Sequence, residues 1–383
     1  MNSVSDLQWL LWAVPLSVVV LVGLGWTLRG FEQRQWRIAA SSSPQAHFRG
    51  LNQLLNEQHD EAIDSFIEAV QLDPETSELH FALGNLFRRR GDYDRAVRVH
   101  EHLLQRGDLK LSDRQRAQHE LAQDFLKAGL LDRAEDALQA LDGTEHEADA
   151  RLALLSIYER ARDWEKAIAV AQKLDGGVHG SLQSRMAHYH CELAAVEAKR
   201  ENFQGARDHV HAALHLDPQH VRAHIDLARL QEHLGQVSDA IQTLQRAAQR
   251  QPSSLALMSH LLASWGTAHP DFKHLALDIL NQQPKNLPST DVTLSKLALE
   301  PEQSHTLLAD HLSREPSLAI AAQSLQSLRS SLPPHVLDTI NRASSPLQRY
   351  RCAACGFEAH TYFWQCPGCQ AWDSFPGRRV EEL

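Results

Sequence analysis

A chain of 383 residues with 43% hydrophobic and 22% charged positions is long enough for more than one structural unit, and its composition is that of a folded protein. A net charge of −10 argues against a surface built to coat nucleic acid. Four of the five cysteines lie within eighteen positions, which excludes a disulfide framework spread through a secreted fold and points to a metal site in a reducing compartment.

The first element is an uncharged run from Leu7 to Leu28, "LQWLLWAVPLSVVVLVGLGWTL". At about 1.5 Å per residue it reaches roughly 33 Å, enough to cross a hydrocarbon core of about 30 Å. Trp9, Trp12 and Trp26 lie toward its ends, where indoles favour the membrane interface. The start carries Asp6 and no Lys or Arg, and no small-x-small site follows closely, so an uncleaved anchor over residues 1–28 is expected rather than a signal peptide. Arg29, Arg34 and Arg37 follow the span, which puts the rest of the chain on the cytoplasmic side. Residues 29–45, ending in "IAASSSPQ", read as a short juxtamembrane connector.

A repeat follows over residues 46–253. Taking one alanine per unit as the marker gives Ala62, Ala96, Ala134, Ala167, Ala206 and Ala240, spaced by 34, 38, 33, 39 and 34. Twelve residues before the marker stands a second small residue, Gly50, Gly84, Ala122, Ala194 and Ala228, with Leu155 the exception. Twelve residues after it, three units carry Pro74, Pro218 or Pro252. Each unit reads as two antiparallel helices: small residues let them approach, apolar residues at i, i+3, i+4 form the buried stripe, and proline ends the second helix. The pattern resembles the tetratricopeptide repeat, with Tyr93, Trp164 and Phe203 at its aromatic turn position. The expected fold is an all-α tetratricopeptide-like solenoid of six repeats. Residues 254–342 are expected to continue it as divergent helices, among them "LALMSHLLASWG", "HLALDILNQQ", "SHTLLADHLS" and "SLAIAAQSLQSLRSSL".

The last element is a small module over residues 349–376. Its cysteines form two C-x-x-C knuckles, Cys352/Cys355 and Cys366/Cys369, joined by "GFEAHTYFWQ". Two facing knuckles offer four thiolates in a tetrahedron, a structural Zn2+ site with no open position; the same set also holds iron. Gly356 and Pro367-Gly368 suit tight turns, and the linking residues favour a short β-hairpin. Four Arg against four Asp/Glu over residues 349–383 leave the segment neutral, which does not fit nucleic-acid reading. Phe357, Tyr362, Phe363, Trp364, Trp372 and Phe375 exceed what so small a module buries alone; they suit its core, a docking face onto the last helices or a partner site, and docking of the module onto the solenoid is expected. Elsewhere the pairs His211/His215 and His220/His224 read as surface or packing histidines, and Cys191 as a buried small hydrophobe. No catalytic constellation is visible, so no enzyme is expected.

The order of anchor, repeats and terminal knuckles, and above all "YRCAACGFEAHTYFWQCPGCQAW", resembles the bacterial lipopolysaccharide assembly protein B family, whose final stretch is rubredoxin-like. The resemblance implies a single-pass protein of the bacterial inner membrane, with most of the chain on the cytoplasmic side. It implies metal ligation by Cys352, Cys355, Cys366 and Cys369, and a role as an adaptor. The implied partners are the deacetylase that commits flux to lipid A, a membrane-anchored AAA+ protease, and an inner-membrane regulator that senses lipopolysaccharide. The alternative is a membrane-tethered scaffold that assembles lipopolysaccharide biosynthetic or transport proteins without directing proteolysis. Pairing into a homodimer stays open, as do the partner-contact residues.

Overall fold

The computed structural model describes residues 48–383 except 54, 55, 57, 73–75, 177–179, 285 and 327–332. The expected span at Leu7–Leu28 and the connector at 29–45 lie outside these residues. Among the described residues, no helix is long and apolar enough to cross a membrane. The chain divides into two compact units, Met1–Ala161 and Arg162–Leu383, and both are mostly helical.

The first unit opens with helical residues 48–53. Six helices follow: α1 (His59–Leu72), α2 (Ser77–Arg90), α3 (Tyr93–Gln105), α4 (Leu111–Ala128), α5 (Leu131–Gln139) and α6 (Glu147–Ala161). The second unit begins with α7 (Trp164–Leu174), α8 (Gln183–Lys199), α9 (Phe203–Leu216), α10 (Val221–His233) and α11 (Val237–Arg250). It continues with α12 (Leu255–Ala268), α13 (Lys273–Leu280), α14 (Thr290–Leu299), α15 (Ser304–Arg314), α16 (Leu318–Gln326) and α17 (Pro334–Ser344). Two short strands close it, β1 (Tyr350–Arg351) and β2 (Glu358–Ala359).

The small residues of the repeat lie where the helices touch. All six marker alanines are fully buried, as are Ala122, Ala228 and the exceptional Leu155. At Gly84 the reason is steric: a methyl group there would run into the His100 imidazole. That imidazole is itself wholly buried and bonds through Nδ1 to Asp124 at 2.5 Å. Asp124 also accepts from Arg88, which reaches Glu120 as well. A glycine at 84 thus admits a buried polar bridge between α3 and α4, made through His100 Nδ1 and Asp124.

The turn between the two helices of a repeat repeats too. Five residues before the marker alanine the backbone is left-handed at Gly91, Gly129, Arg162, Glu201 and Gly235, with φ of 90°, 75°, 57°, 61° and 77°. Such a residue ends a helix by turning its own N–H and the next back onto the last free carbonyls. Gly91 and Gly129 do so on Phe87–Arg88 and Phe125–Leu126. Arg162 and Glu201 hold the same geometry with a Cβ in the way, at a cost of about 1 kcal/mol each.

Past Pro252 the connections change. Pro252, Pro270 and Pro301 each open a 3-10 turn that leads directly into the next helix; fixed φ and a missing N–H suit the first position of a helical turn. The four stretches read as helices are helical in α12, α13, α15 and α16, with residues 327–332 of the last lying outside the described residues. Two further helices, α14 and α17, fall within or across the end of the stretch expected to be helical over residues 254–342. A core of Ile241, Leu244, Met258, Leu262, Ile279 and Leu280, each fully buried, joins α11 to α13.

Candidate metal centre

The two knuckles fold alike. In the first, Cys352 N–H donates to Phe357 O (2.9 Å) and Gly356 N–H to Cys352 O (2.9 Å); in the second, Cys366 N–H donates to Ala371 O (2.9 Å) and Gln370 N–H to Cys366 O (2.8 Å). The left-handed residue is Gly356 in one and Gln370 in the other, at φ of 78° and 63°. In the second knuckle it is therefore Gln370, and not Gly368, that takes the conformation a glycine would favour. The linking residues do not form a hairpin of their own. Instead β1 and β2 pair antiparallel across the first knuckle, Tyr350 with Ala359 and Arg351 with Glu358, and a bridge joins Gln365 to Trp372 across the second. The turn that positions the sulfurs is thus also the turn of each small ladder.

The four sulfurs converge, each within 4.8 Å of the others. Cys352 Sγ lies 3.8 Å from Cys369 Sγ, and Cys355 Sγ lies 3.7 Å from Cys366 Sγ. Zn–S bonds near 2.3 Å in a tetrahedron put sulfurs roughly 3.8 Å apart, whereas a disulfide needs about 2.05 Å. The donor set therefore fits a tetrathiolate metal and not a pair of disulfides. The first cysteine of each pair is buried and the second exposed. The Ser374 hydroxyl 3.3 Å from Cys352 Sγ, with the knuckle amides, pulls that thiol down to about 6. Cys355 receives an N–H from Phe357, which favours its thiolate, but partial desolvation of the sulfur and the neighbouring sulfurs push it up to about 12. Four thiolates this close repel one another, and a dication relieves the repulsion.

The module is seated within the second unit, and Trp372 meets helices of the repeat region. It stacks on His188 of α8 (4.6 Å between centroids) and stands edge-on to Tyr189 (5.9 Å) and Trp164 (6.1 Å), at the start of α7. Trp364 packs against the core of α10 to α14, while Tyr350, Phe363 and Phe375 form the module's own small core with Tyr362. Phe357 stays exposed. The final helices are held by a different element, the chain end. Glu382 accepts from Thr290 N–H at the start of α14 (2.5 Å), and Glu381 from the Ser317 hydroxyl (2.5 Å) and Leu318 N–H (3.2 Å) at the start of α16. Carboxylates at helix N-termini satisfy free amides and the positive end of the dipole.

Two polar contacts lock the seat. Arg379 grips Asp291 of α14 through Nη2 (2.8 Å) and Nε (3.0 Å), and lies over the Tyr350 ring, whose hydroxyl also donates to Asp291 (2.9 Å). Asp373, at φ of 49°, bonds His188 Nε2 through Oδ2 at 2.8 Å. Burial alone would raise Asp373, but the His188 hydrogen bond and charge overcome it and hold the carboxyl below its usual range. Edge-on to His188 lies His220, at 4.2 Å between centroids. His220 Nδ1 accepts from Ala223 N–H, capping α10, so its ring proton sits on Nε2. Burial first, and His188 second, push it down to about 3. One nitrogen of His220 thus caps a helix and one nitrogen of His188 bonds Asp373, which ties the module to α8 and α10. Sequence reading weighed His188 only beside Cys191 and did not single out Asp291, Asp373 or Arg379, because each acts through a partner at least 88 residues away. Cys191 is fully buried, and burial, with Asp226, pushes its thiol up.

Residues 350–376 match the rubredoxin metal binding domain, and residues 79–115, 119–177 and 197–264 match tetratricopeptide repeat families. Over its whole length the chain is similar to lipopolysaccharide assembly protein B of Escherichia coli (strain K12), 29% identical, covering 96% of this chain and 98% of that protein. The protein of the same name from Haemophilus influenzae is 27% identical over 85% of this chain and 87% of its own. Helical repeats, the four-sulfur module and end-to-end likeness agree: throughout its length the chain is similar to proteins of the lipopolysaccharide assembly protein B family.

Proposed function

We propose that this protein is an inner-membrane adaptor that limits lipopolysaccharide synthesis by presenting the lipid A pathway deacetylase to a membrane-bound AAA+ protease. The observation that carries the reading is the end-to-end similarity to proteins named for lipopolysaccharide assembly, spanning 96% of the chain. In this reading residues 1–28 anchor the chain, residues 46–253 and the helices after them form the protein-binding repeats, and residues 349–376 form the module in which Cys352, Cys355, Cys366 and Cys369 hold Zn2+. Four thiolates leave a metal no open position, so the module stabilises and does not catalyse. Tandem repeats offer an extended surface to a protein client. A membrane tether raises the client's effective concentration near a membrane protease without any new contact. The lipopolysaccharide-sensing regulator would act through the anchor.

The relatives' name speaks of assembly, which favours a second reading: a tethered scaffold for biosynthetic or transport proteins that does not direct proteolysis. Client lifetime separates the two. Depleting the protein should lengthen the deacetylase half-life several-fold; an unchanged half-life, with lipopolysaccharide output still disturbed, would leave the scaffold reading in its place.

A further inference from the structure

In the first unit, away from the cysteines, two imidazoles and a carboxylate meet. His119 lies on α4, His146 just ahead of α6, and Asp149 in the first turn of α6. One ligand atom from each lies within 4.8 Å of the other two. The imidazoles are stacked, 4.8 Å between centroids with planes 11° apart. His146 Nε2 is buried and has no hydrogen-bond partner, while Glu145 brings a second carboxylate oxygen to 3.7 Å from it. A buried imidazole nitrogen left without a partner is costly, and such orphans call for an explanation.

We propose that His119, His146 and Asp149 form a second zinc site, with Glu145 or water as the fourth ligand. Two neutral imidazoles and carboxylate oxygen suit a borderline divalent ion such as Zn2+. Zn–N bonds near 2.0–2.1 Å need ligand atoms roughly 3.3 Å apart, so from within 4.8 Å the side chains close by at most about 1.5 Å and the two rings fan apart. Asp149 and Glu145 are on the surface and free to swing. Burial, and then His146, hold the His119 imidazole below its usual range, which keeps its lone pair available. Glu120 is excluded as a ligand because Arg88 already holds it. The ion would join α4 to the start of α6 across the turn at residues 140–146, stapling one repeat to the next. A useful contrast is His190 with His209, whose Nδ1 atoms lie 3.3 Å apart. Among the described residues no third ligand joins that pair.

The test is Co2+ and Zn2+ titration of the full-length protein. A histidine–carboxylate site gives Co2+ d–d bands without thiolate-to-cobalt charge transfer, so it is visible whether or not the cysteines hold metal. Wild type should bind one such ion. His119→Ala and His146→Ala should each weaken it by more than about 100-fold, beyond the ~10–100-fold loss of an outer partner. Asp149→Asn, at an exposed position, should weaken it with helicity unchanged, and His190→Ala should leave it intact. Absence of thiolate-free Co2+ bands in wild type, or their survival in a folded His119→Ala protein, would reduce the pair to a stacking contact and overturn the proposal.

Discussion

The repeats and the cysteine module keep their folds by opposite means. A repeat is two helices whose small residues and apolar stripes meet, so its stability is spread over many contacts such as those of Ala62, Ile63 and Phe66. The module has two strands of two residues each and a buried core of Tyr350, Cys352, Cys366 and Phe375. So little burial cannot offset the conformational entropy of ordering about thirty residues. Its order must come from four sulfurs on a metal and from the seat it takes on α7, α8 and α14. A repeat loses stability by increments; the module should lose it all at once.

The sharpest break in that comparison is Cys366→Ser, at a fully buried position. Structural zinc contributes apparent free energies of about 10–16 kcal/mol in small domains, so removing one ligand should unfold the module while circular dichroism retains most of the helix signal. Hydrogen exchange should then rise in α7 and α8, around Trp164 and Tyr189, more than in α17. Equal protection of α7 and α8 in wild type and variant would show that the seat does not depend on the metal.

The seam between the two regions gives the next effect. His220 is pushed down to about 3 in the folded chain, against about 6.5 when unfolded. Between those values the unfolded state binds more protons, so stability is fully present above about pH 6.5 and falls as pH drops toward 3. From pH 6.5 to 5 the loss is about 2 kcal/mol, from 1.5 units at 1.36 kcal/mol each. His220→Asn keeps a cap for α10 and should flatten that slope in urea titrations. An identical pH slope in the two proteins would remove His220 from the account.

The smallest effect runs the other way and concerns a repeat alone. Glu201 is exposed and left-handed, at the position where other repeats carry glycine. Glu201→Gly should stabilise the second unit by up to about 0.5 kcal/mol, the relief of about 1 kcal/mol of backbone strain less the added entropy of the unfolded chain. A fall in stability would mean that the side chain contributes more than its backbone costs.

How much of this was readable depended on the distance over which each residue acts. The marker alanines and the small residues twelve positions earlier were found from spacing alone, because a helix pair is a local object and its contacts recur at a fixed period. The four cysteines were found the same way, since each knuckle is four residues long. Helix α14 fell only under the general expectation of helices over residues 254–342, as its own weak amphipathic periodicity sits between prolines and it is fixed by packing against α12 and α13. The seat of the module also had to wait for the structure. Aromatic surplus announced that it docks, but not that Trp372 lands on α7 and α8 while the chain end, through Glu381 and Glu382, takes the final helices.

By itself, the sequence determined the helical repeat, the two knuckles and the order in which they follow one another. Each follows from backbone geometry or from donor atoms a few residues apart. Only the tertiary structure decided which surfaces meet: Asp291 with Arg379, His188 with Asp373, and His119 with His146. Those pairings join residues of ordinary type, and nothing in a one-dimensional pattern marks a partner that folding brings from 27 to 185 positions away.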